Sequence, residues 1–242
     1  MPAPANGSPS PTADKPPRLR RRIPLSLRMF VAILGLLGIV STAMVGIPVC
    51  RQQLAIRQFQ QHGCQFYTQP GGPAWLRRWV GDRRMKLFDQ VVMVDLRRAK
   101  DTDGALAHLN GLTSVREVIL IGTPITDSGL MHLKGLTNLQ RLLLMNTSVT
   151  DAGLVHLKGL TNMKVLKLDN TRVTDAGLAH LQGMTRMEGL SLVGTSVTEV
   201  GMQHLKGLPK LRLLVLSNVA ETSSGVAELK QALPGLRVGP SW

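Results

Sequence analysis

Apolar positions in the C-terminal part of the chain recur with a period of 24 residues. Successive units of this pattern, of which the first and last are weaker, begin at Thr102, Thr126, Thr150, Thr174 and Thr198. Residues 91–96 form a further half-unit, in which Val94 aligns with Val118. A repeat of this length predicts a solenoid, in which each unit buries its apolar side against the next unit.

Each unit divides into a half with strand periodicity and a half with helical periodicity. Leu142 and Leu144 are two residues apart, which is typical of a strand with one buried face. Leu154, Leu157 and Leu160 follow at three-residue steps, which predicts a short helix that Thr150 or Asp151 can cap. Residues 102–221 contain no Phe, Trp or Tyr, so the predicted core is aliphatic and each side chain nests against its own counterpart one unit later.

The segments TDAGLVHLKGL from Thr150 and LxxLxLxxN in the strand half resemble the leucine-rich repeat. The closer likeness is to the 24-residue TDxGLxxLxxL subtype of bacterial secreted or membrane-bound proteins, which is similar to the repeats beside F-box domains in ubiquitin-ligase adaptors. Residues 72–82, GPAWLRRWVGD, look like a stretch found in bacterial single-pass members. The likeness covers about residues 91–242 and implies an α/β leucine-rich-repeat solenoid. That fold is a horseshoe with a parallel sheet on the concave side and short helices on the convex side. It implies protein binding and no catalytic residues.

The strand periodicity predicts which side chains line the outward surface of the sheet, here called the concave face. Its three rows are Met93, Glu117, Arg141, Val165, Gly189, Leu213; Asp95, Ile119, Leu143, Lys167, Ser191, Val215; and Arg97, Ile121, Met145, Asp169, Val193, Ser217. Nine of these eighteen residues are apolar and the six charges balance, which favours a protein or peptide partner. The candidate partner-binding residues are Glu117, Ile119, Ile121, Arg141, Leu143, Met145, Val165, Lys167, Asp169, Val193, Leu213 and Val215.

Three polar ladders recur with the same period. The histidines are either a metal-binding row or a polar helical row against neighbouring backbone, and we predict no metal because no carboxylate or cysteine shares their position. The aspartates are expected to cap helices. The asparagines are expected to bond turn backbone, with local weakness where Gly122 and Gly194 replace them. The three ladders are His108, His132, His156, His180, His204; Asp127, Asp151, Asp175; and Asn146, Asn170, Asn218.

Residues 29–50 are free of charge over 22 positions, which predicts one transmembrane helix. Six basic residues lie in the Pro-rich segment 1–28, which we expect to be a disordered cytoplasmic tail. This bias places the repeat domain outside the cytoplasmic membrane. An alternative is signal cleavage near Ala43, which would release a secreted protein. Cys50 and Cys64 could then pair in an oxidising space, but we favour two free thiols because Cys50 lies at the membrane edge.

Residues 51–90 join the predicted span to the repeats, beginning with a helix that Gly63 ends. Trp75, Leu76, Trp79 and Val80 share one face of a second predicted helix. That face either shields the first strand as an N-terminal cap or lies on the membrane surface.

The net charge of +14 suggests nucleic-acid binding only until its distribution is considered. Residues 1–28 carry six basic and one acidic residue, and residues 51–100 carry ten and three, so a net charge of +12 out of +14 lies before residue 101. The repeat region lacks the basic surface that phosphate-backbone binding needs. Neither a catalytic motif nor a phosphate-binding loop is present. The sequence thus predicts a membrane-anchored binding protein that is not an enzyme and has no small-molecule cofactor. The alternative is a self-associating structural protein of the envelope.

Overall fold

The computed structural model describes residues 46–72, 74–217 and 223–239. Within them, eight strands form one sheet in chain order. The strands are β1 Gln65–Gln69, β2 Gln90–Asp95, β3 Glu117–Ile119, β4 Arg141–Leu143, β5 Val165–Lys167, β6 Gly189–Ser191, β7 Leu213–Val215 and β8 Arg237–Gly239. All neighbours from β2 to β8 are parallel, whereas β1 is antiparallel to β2.

Short helices connect the strands. They are α1 Ile47–Gln61, α2 Ala74–Val80, α3 Asp82–Met85, α4 Thr102–Ala107, α5 Asp127–Leu130, α6 Asp151–Leu154, α7 Asp175–Leu178, α8 Met202–Leu205 and α9 Ser224–Ala232. A 3-10 turn continues three of the repeat helices, at Met131–Leu133, Val155–Leu157 and Ala179–Leu181, and a fourth turn, Lys86–Phe88, follows α3. The three-residue spacing of the leucines suits a 3-10 turn, because side chains at i and i+3 then lie on one side.

The core is a set of parallel leucine rows between sheet and helices. Leu142, Leu166 and Leu190 pair in register along β4, β5 and β6, and each is fully buried. Leu154, Leu157 and Leu160 are also fully buried on the helical side. The predicted solenoid with a parallel sheet and short helices is therefore confirmed, and it fits the leucine-rich-repeat fold that the resemblance implies.

The sheet extends beyond the six strands that the repeat predicts. Val94 pairs with Val118 as expected, but β1 adds an antiparallel strand before β2, and β8 adds a parallel strand after β7. The repeat strands are also shorter than expected. The strands from β3 to β7 have three residues each and β2 ends at Asp95, so the third row of the concave face, from Arg97 to Ser217, lies in the turns that follow the strands.

The N-terminal end of the solenoid is covered by α1 and β1. Phe59 of α1 is fully buried, Ala55 is nearly so, and the Phe59 and Phe66 rings lie 6.3 Å apart. Gly63, with a φ of 72°, follows the end of α1 as predicted. These aromatic residues stand at the end of the stack, where no identical neighbouring unit constrains their size.

Of the two alternatives for the face of α2, the N-terminal cap is wrong, and the membrane surface stays a prediction. Trp75 and Trp79 are 68% and 85% exposed, and within this helix no described residue is buried. Leu76, Arg77 and Val80 are half-buried instead. The cap expected from Trp75, Leu76, Trp79 and Val80 is thus supplied by α1 and β1.

The predicted membrane segment is mostly outside the described residues. The undescribed part includes the tail 1–28, the predicted span up to residue 45 and the alternative cleavage site at Ala43. The last residues of the predicted span, 47–50, form the first turn of α1. In the part of the chain that the structure describes, no helix is both long enough and apolar enough to cross a bilayer.

Candidate functional site

The concave face is built by the in-register pairing of the parallel strands. Glu117 of β3 pairs with Arg141, Arg141 with Val165, and Val165 with Gly189. Side chains one unit apart therefore stand side by side at the spacing of strands, about 4.8 Å. The sheet thus brings residues that are 24 apart in sequence into two continuous rows, and the third row follows in the turns.

Most of the candidate partner-binding residues are accessible on this face. Arg141 is exposed, and the side chains that are half-buried are Glu117, Ile121, Leu143, Met145, Val165, Lys167, Val193 and Leu213. Leu143 ends strand β4, and Ile121 and Met145 follow the ends of β3 and β4. We call these three residues the apolar strip, which is defined as Ile121, Leu143 and Met145.

Three candidate residues are less accessible than the sequence predicts. Ile119 and Asp169 are each 7% exposed, and Val215 is 1% exposed. Ile119 and Val215 both belong to the central row, in which Leu143 and Lys167 are only half-buried. Asp169 is covered because it accepts hydrogen bonds from Ser191 Oγ and from Val193 N, the latter at 3.1 Å. The exposed apolar surface is accordingly smaller than the predicted patch.

Charges at the N-terminal end of the concave face pair with each other. Arg141 Nε donates to Glu117 Oε1 at 3.2 Å, and Arg97 Nη2 donates to Asp95 Oδ2 at 2.6 Å. The hydrogen bonds from Arg97 hold the pKa of Asp95 below its ordinary value, against the opposite effect of burial. Paired charges leave this surface close to electrostatic neutrality, as the sequence predicts.

One residue of the concave face could not be predicted from the repeat. Tyr67 of β1 pairs with Met93 of β2, so the two side chains lie on the same side of the sheet. Tyr67 is 57% exposed, whereas Phe66, opposite Val94, packs against the core. The alternating pattern of QFYTQ could have predicted a strand here. Because this segment precedes the first repeat and does not align with it, the repeat does not show which side chains face outward.

The aspartate ladder joins successive repeats. Asp127 Oδ1 accepts from Thr150 N at 2.8 Å, and its Oδ2 accepts from Thr150 Oγ1 at 2.6 Å. Thr150 in turn caps α6, because its hydroxyl accepts from Ala152 N. The predicted helix cap is therefore the threonine, and the carboxylate holds the cap of the next helix in place.

The same bonds recur along the helical side of the molecule. The carboxylates of the other units bind the same two groups of the threonine 23 residues later, in the pairs Asp103–Thr126, Asp151–Thr174 and Asp175–Thr198. Thr102 begins the first unit, and its buried hydroxyl finds no partner within the described residues. In that unit Asp101 caps α4 by accepting from Gly104 N. At the last unit Glu199 accepts from Ser224 Oγ and Gly225 N instead.

The asparagine ladder differs from its predicted bonding. Asn146 and Asn170 have φ angles of 56° and 53°, and Asn170 Nδ2 donates to Asn146 Oδ1 at 2.8 Å. Asn218 lies outside the described residues. Gly122 and Gly194 each have a φ of 67°, so they occupy the same left-handed backbone. Glycine adopts this conformation without steric cost, which argues against backbone weakness at these two units.

The histidine ladder is half-buried at all five positions. Burial and the charge of Lys158 lower the pKa of His180. Gln182 Nε2 lies 3.2 Å from His204 Nδ1. Over residues 46–72, 74–217 and 223–239, no group of three His, Cys, Asp or Glu side chains is arranged to hold a metal ion.

The two cysteines are free in the structure. Cys50 is exposed, whereas Cys64 is buried in the connection between α1 and β1. Burial and the nearby Asp95 carboxylate raise the pKa of the Cys64 thiol. A buried thiol of this kind is poorly reactive, because the thiolate is the nucleophilic form.

Comparisons with known proteins give structural neighbours only. No family model and no curated protein sequence matches the chain. The chain is similar to an internalin (inlF) from Listeria monocytogenes, with 21% identity and a TM-score of 0.49 over 60% of this chain and 38% of that chain. It is also similar to internalin C2 (inlC2) from the same species, with 28% identity and a TM-score of 0.46 over 55% and 54% of the two chains. The chain thus spans less than two thirds of the length of either neighbour.

Proposed function

We propose that this protein is a bacterial membrane-anchored binding protein whose repeat domain holds a protein or peptide on its concave face. The observation that carries the proposal is the apolar strip. Three aliphatic side chains of neighbouring units stand together, half-exposed, on a surface whose nearby charges are paired. Leu143 and Met145 are not β-branched, so strand preference alone does not account for them.

The rest of the concave face is suited to the same role. Leu143 lies on a sheet whose strands are held in register from β2 to β8, and Ile121 and Met145 follow two of those strands closely, so the strip is fixed before a partner arrives. A preorganised surface loses little conformational freedom on binding. Tyr67 adds an aromatic side chain at the N-terminal end, where a partner could extend beyond the repeats.

Membrane anchoring is the second part of the proposal. It is supported by the uncharged segment 29–50 and by the basic residues that precede it. In this arrangement residues 1–28 are cytoplasmic and the repeats face outward.

The partner-binding claim is tested by replacing apolar side chains of the strip with charged ones. In the full chain, Leu143→Glu combined with Met145→Lys places charges where apolar contact is proposed, while both side chains remain accessible to water. We expect a crosslinker placed at Val165 to capture a defined partner from native-host envelopes in the wild type and to lose it in the double variant. The melting temperature should stay near that of the wild type.

The matched control carries the same two changes on the helical side. Met131 and Val155 are exposed residues at the starts of two 3-10 turns, so Met131→Glu combined with Val155→Lys alters charge equally. The control should retain capture. Equal capture by both double variants would refute binding through the concave face. Capture of a second copy of this chain would support the structural alternative, self-association.

Topology is tested separately. A phosphatase reporter that is active only outside the cytoplasm, fused after Trp242, should be active, and the mass of the mature chain should include residues 1–43. An inactive reporter would reverse the orientation, and a mass that lacks those residues would favour the secreted form.

A further inference from the structure

Helix α2 presents two tryptophans to solvent. Trp75 and Trp79 are one helical turn apart and form, with Arg78, the walls of a shallow hollow. They are among the most exposed large hydrophobic residues that the structure describes. Large exposed apolar surfaces on a soluble domain are unfavourable unless something covers them. We call Trp75, Arg78 and Trp79 the tryptophan face.

An ion-pair network on the opposite side fixes the helix in this orientation. Arg77 donates through Nη2 to Asp89 Oδ1 and, at 3.0 Å, to the carbonyl of Gly71. Its Nη1 lies 3.3 Å from Asp82 Oδ1. Arg77 is therefore directed toward the protein, and the tryptophan face is directed away from it. The exposure of the tryptophans thus results from specific contacts of their own helix.

The surroundings of the tryptophan face are strongly basic. Residues 74–86 contain five basic residues and one acidic residue. Arg78, Arg83, Arg84 and Lys86 are exposed, and the acidic residue, Asp82, is paired with Arg77. The segment therefore combines aromatic side chains with uncompensated positive charge within thirteen residues.

We propose that the tryptophan face docks on an anionic phospholipid surface. Tryptophan favours the interface between lipid headgroups and acyl chains, because its ring is apolar and its N–H needs a polar partner. Each basic side chain near an anionic bilayer adds roughly a fivefold gain in affinity. Two copies of this face would bring Arg78 against Arg78, which disfavours a homodimer.

This contact is distinct from the predicted span and from the concave face. It would hold the start of the repeats against the bilayer whether or not residues 29–50 insert. The test therefore needs a signal that arises from the tryptophan face itself, because attachment of the whole chain to vesicles would not separate the two.

Tryptophan fluorescence supplies that signal. The chain has three tryptophans, so Trp242→Phe in the full chain leaves only Trp75 and Trp79. The protein is added to phosphatidylcholine vesicles with and without phosphatidylglycerol, and the lipids carry bromine on shallow acyl positions as a quencher. We expect a blue-shifted emission that bromine quenches in the vesicles containing phosphatidylglycerol, and weak quenching in pure phosphatidylcholine.

Two double variants, each lacking two positive charges, test whether the charges near the tryptophan face matter. In the Trp242→Phe background, Arg78→Gln combined with Arg83→Gln should weaken the apparent affinity for anionic lipid by about tenfold or more. The apparent affinity is measured as the phosphatidylglycerol fraction of the vesicles that gives half-maximal quenching. Lys134→Gln combined with Lys158→Gln removes the same charge from exposed positions on the helical side and should leave that fraction unchanged.

Several outcomes would overturn the proposal. Emission that remains typical of water-exposed indole in anionic vesicles excludes lipid contact. Equal quenching with and without phosphatidylglycerol excludes an anionic surface as the determinant. A blue shift without bromine quenching assigns the face to contact with protein. Both charge variants should keep the wild-type melting temperature, so loss of folding is detected directly.

Discussion

At the residue scale, the repeated Thr-Asp-x-Gly segment forms the polar contacts that join neighbouring units. The threonine caps its own helix, and the aspartate binds the next threonine through both carboxylate oxygens. The glycine has a separate steric role. A Cβ atom at Gly153 would lie 2.5 Å from Asp127 Oδ1, because the carboxylate of the preceding unit fills that space.

This crowding predicts different effects at two glycines of one unit. Gly153→Ala should lower the free energy of unfolding by about 1–3 kcal/mol, since the carboxylate must move away from Thr150. Gly159→Ala is the control, because a Cβ atom there meets nothing within 4 Å. It should be neutral or stabilise by up to about 1 kcal/mol. Equal denaturant midpoints for the two variants would contradict the steric role.

The asparagine position gives a second residue-scale prediction. Asn146→Gly and Asn146→Ala both remove the hydrogen bond from Asn170 Nδ2, so their difference reports the left-handed backbone at Asn146 alone. The alanine variant should be less stable than the glycine variant by about 1 kcal/mol. Urea denaturation checks this, and an alanine variant as stable as the glycine variant would show that the positive φ carries no cost.

At the element scale, the strands and helices are too short to be stable alone. A three-residue strand and a single helical turn become stable only because each unit covers the next. The two ends of the stack therefore need other elements. At the N-terminal end, α1 places Phe59 over the first unit, while β1 occupies the edge of the sheet.

The capping role of α1 predicts where destabilisation begins. Phe59→Ala should cost about 3–5 kcal/mol and should increase amide exchange first in β2. Leu54→Ala on the exposed side of the same helix should change stability by less than about 0.5 kcal/mol. Hydrogen exchange that rises equally in β2 and β6 after Phe59→Ala would argue against a local cap.

At the scale of the whole molecule, charge and apolar surface are separated. The strip on the concave face lies beside paired charges, whereas the tryptophan face lies among basic residues that exceed their acidic partners. The two surfaces should therefore respond differently to salt, because screening weakens interactions between exposed charges and leaves apolar contact largely intact.

This separation predicts that the two surfaces differ in their sensitivity to salt. Raising the ionic strength from physiological to about 1 M shortens the screening length from about 8 Å to about 3 Å. Crosslinked capture at Val165 should be little changed, while quenching of the tryptophans by anionic vesicles should fall sharply. Salt-sensitive capture at Val165 would mean that the partner is recognised by charge.

The repeat and its core were predictable because they depend on local spacing. The alternation at Leu142 and Leu144, copied every 24 residues, identifies the buried row of every unit without knowledge of the fold. Whether the tryptophans of α2 cover the first strand or face outward could not be decided from the sequence. The apolar residues of this helix lie on one side in sequence, but Arg77 reaches Asp89 through a long-range contact that turns the tryptophans outward.

The sequence by itself determined the solenoid, its aliphatic core and the rows of the concave face. Each unit stacks on the next, so residues 24 positions apart become neighbours in every unit that keeps the repeat length. Only the tertiary structure decided how far each side chain of those rows is accessible, which elements cover the N-terminal end and which surface α2 exposes. These depend on neighbours outside the period, such as Ser191 and Val193 around Asp169 and Asp89 beside Arg77, and no local pattern encodes those contacts.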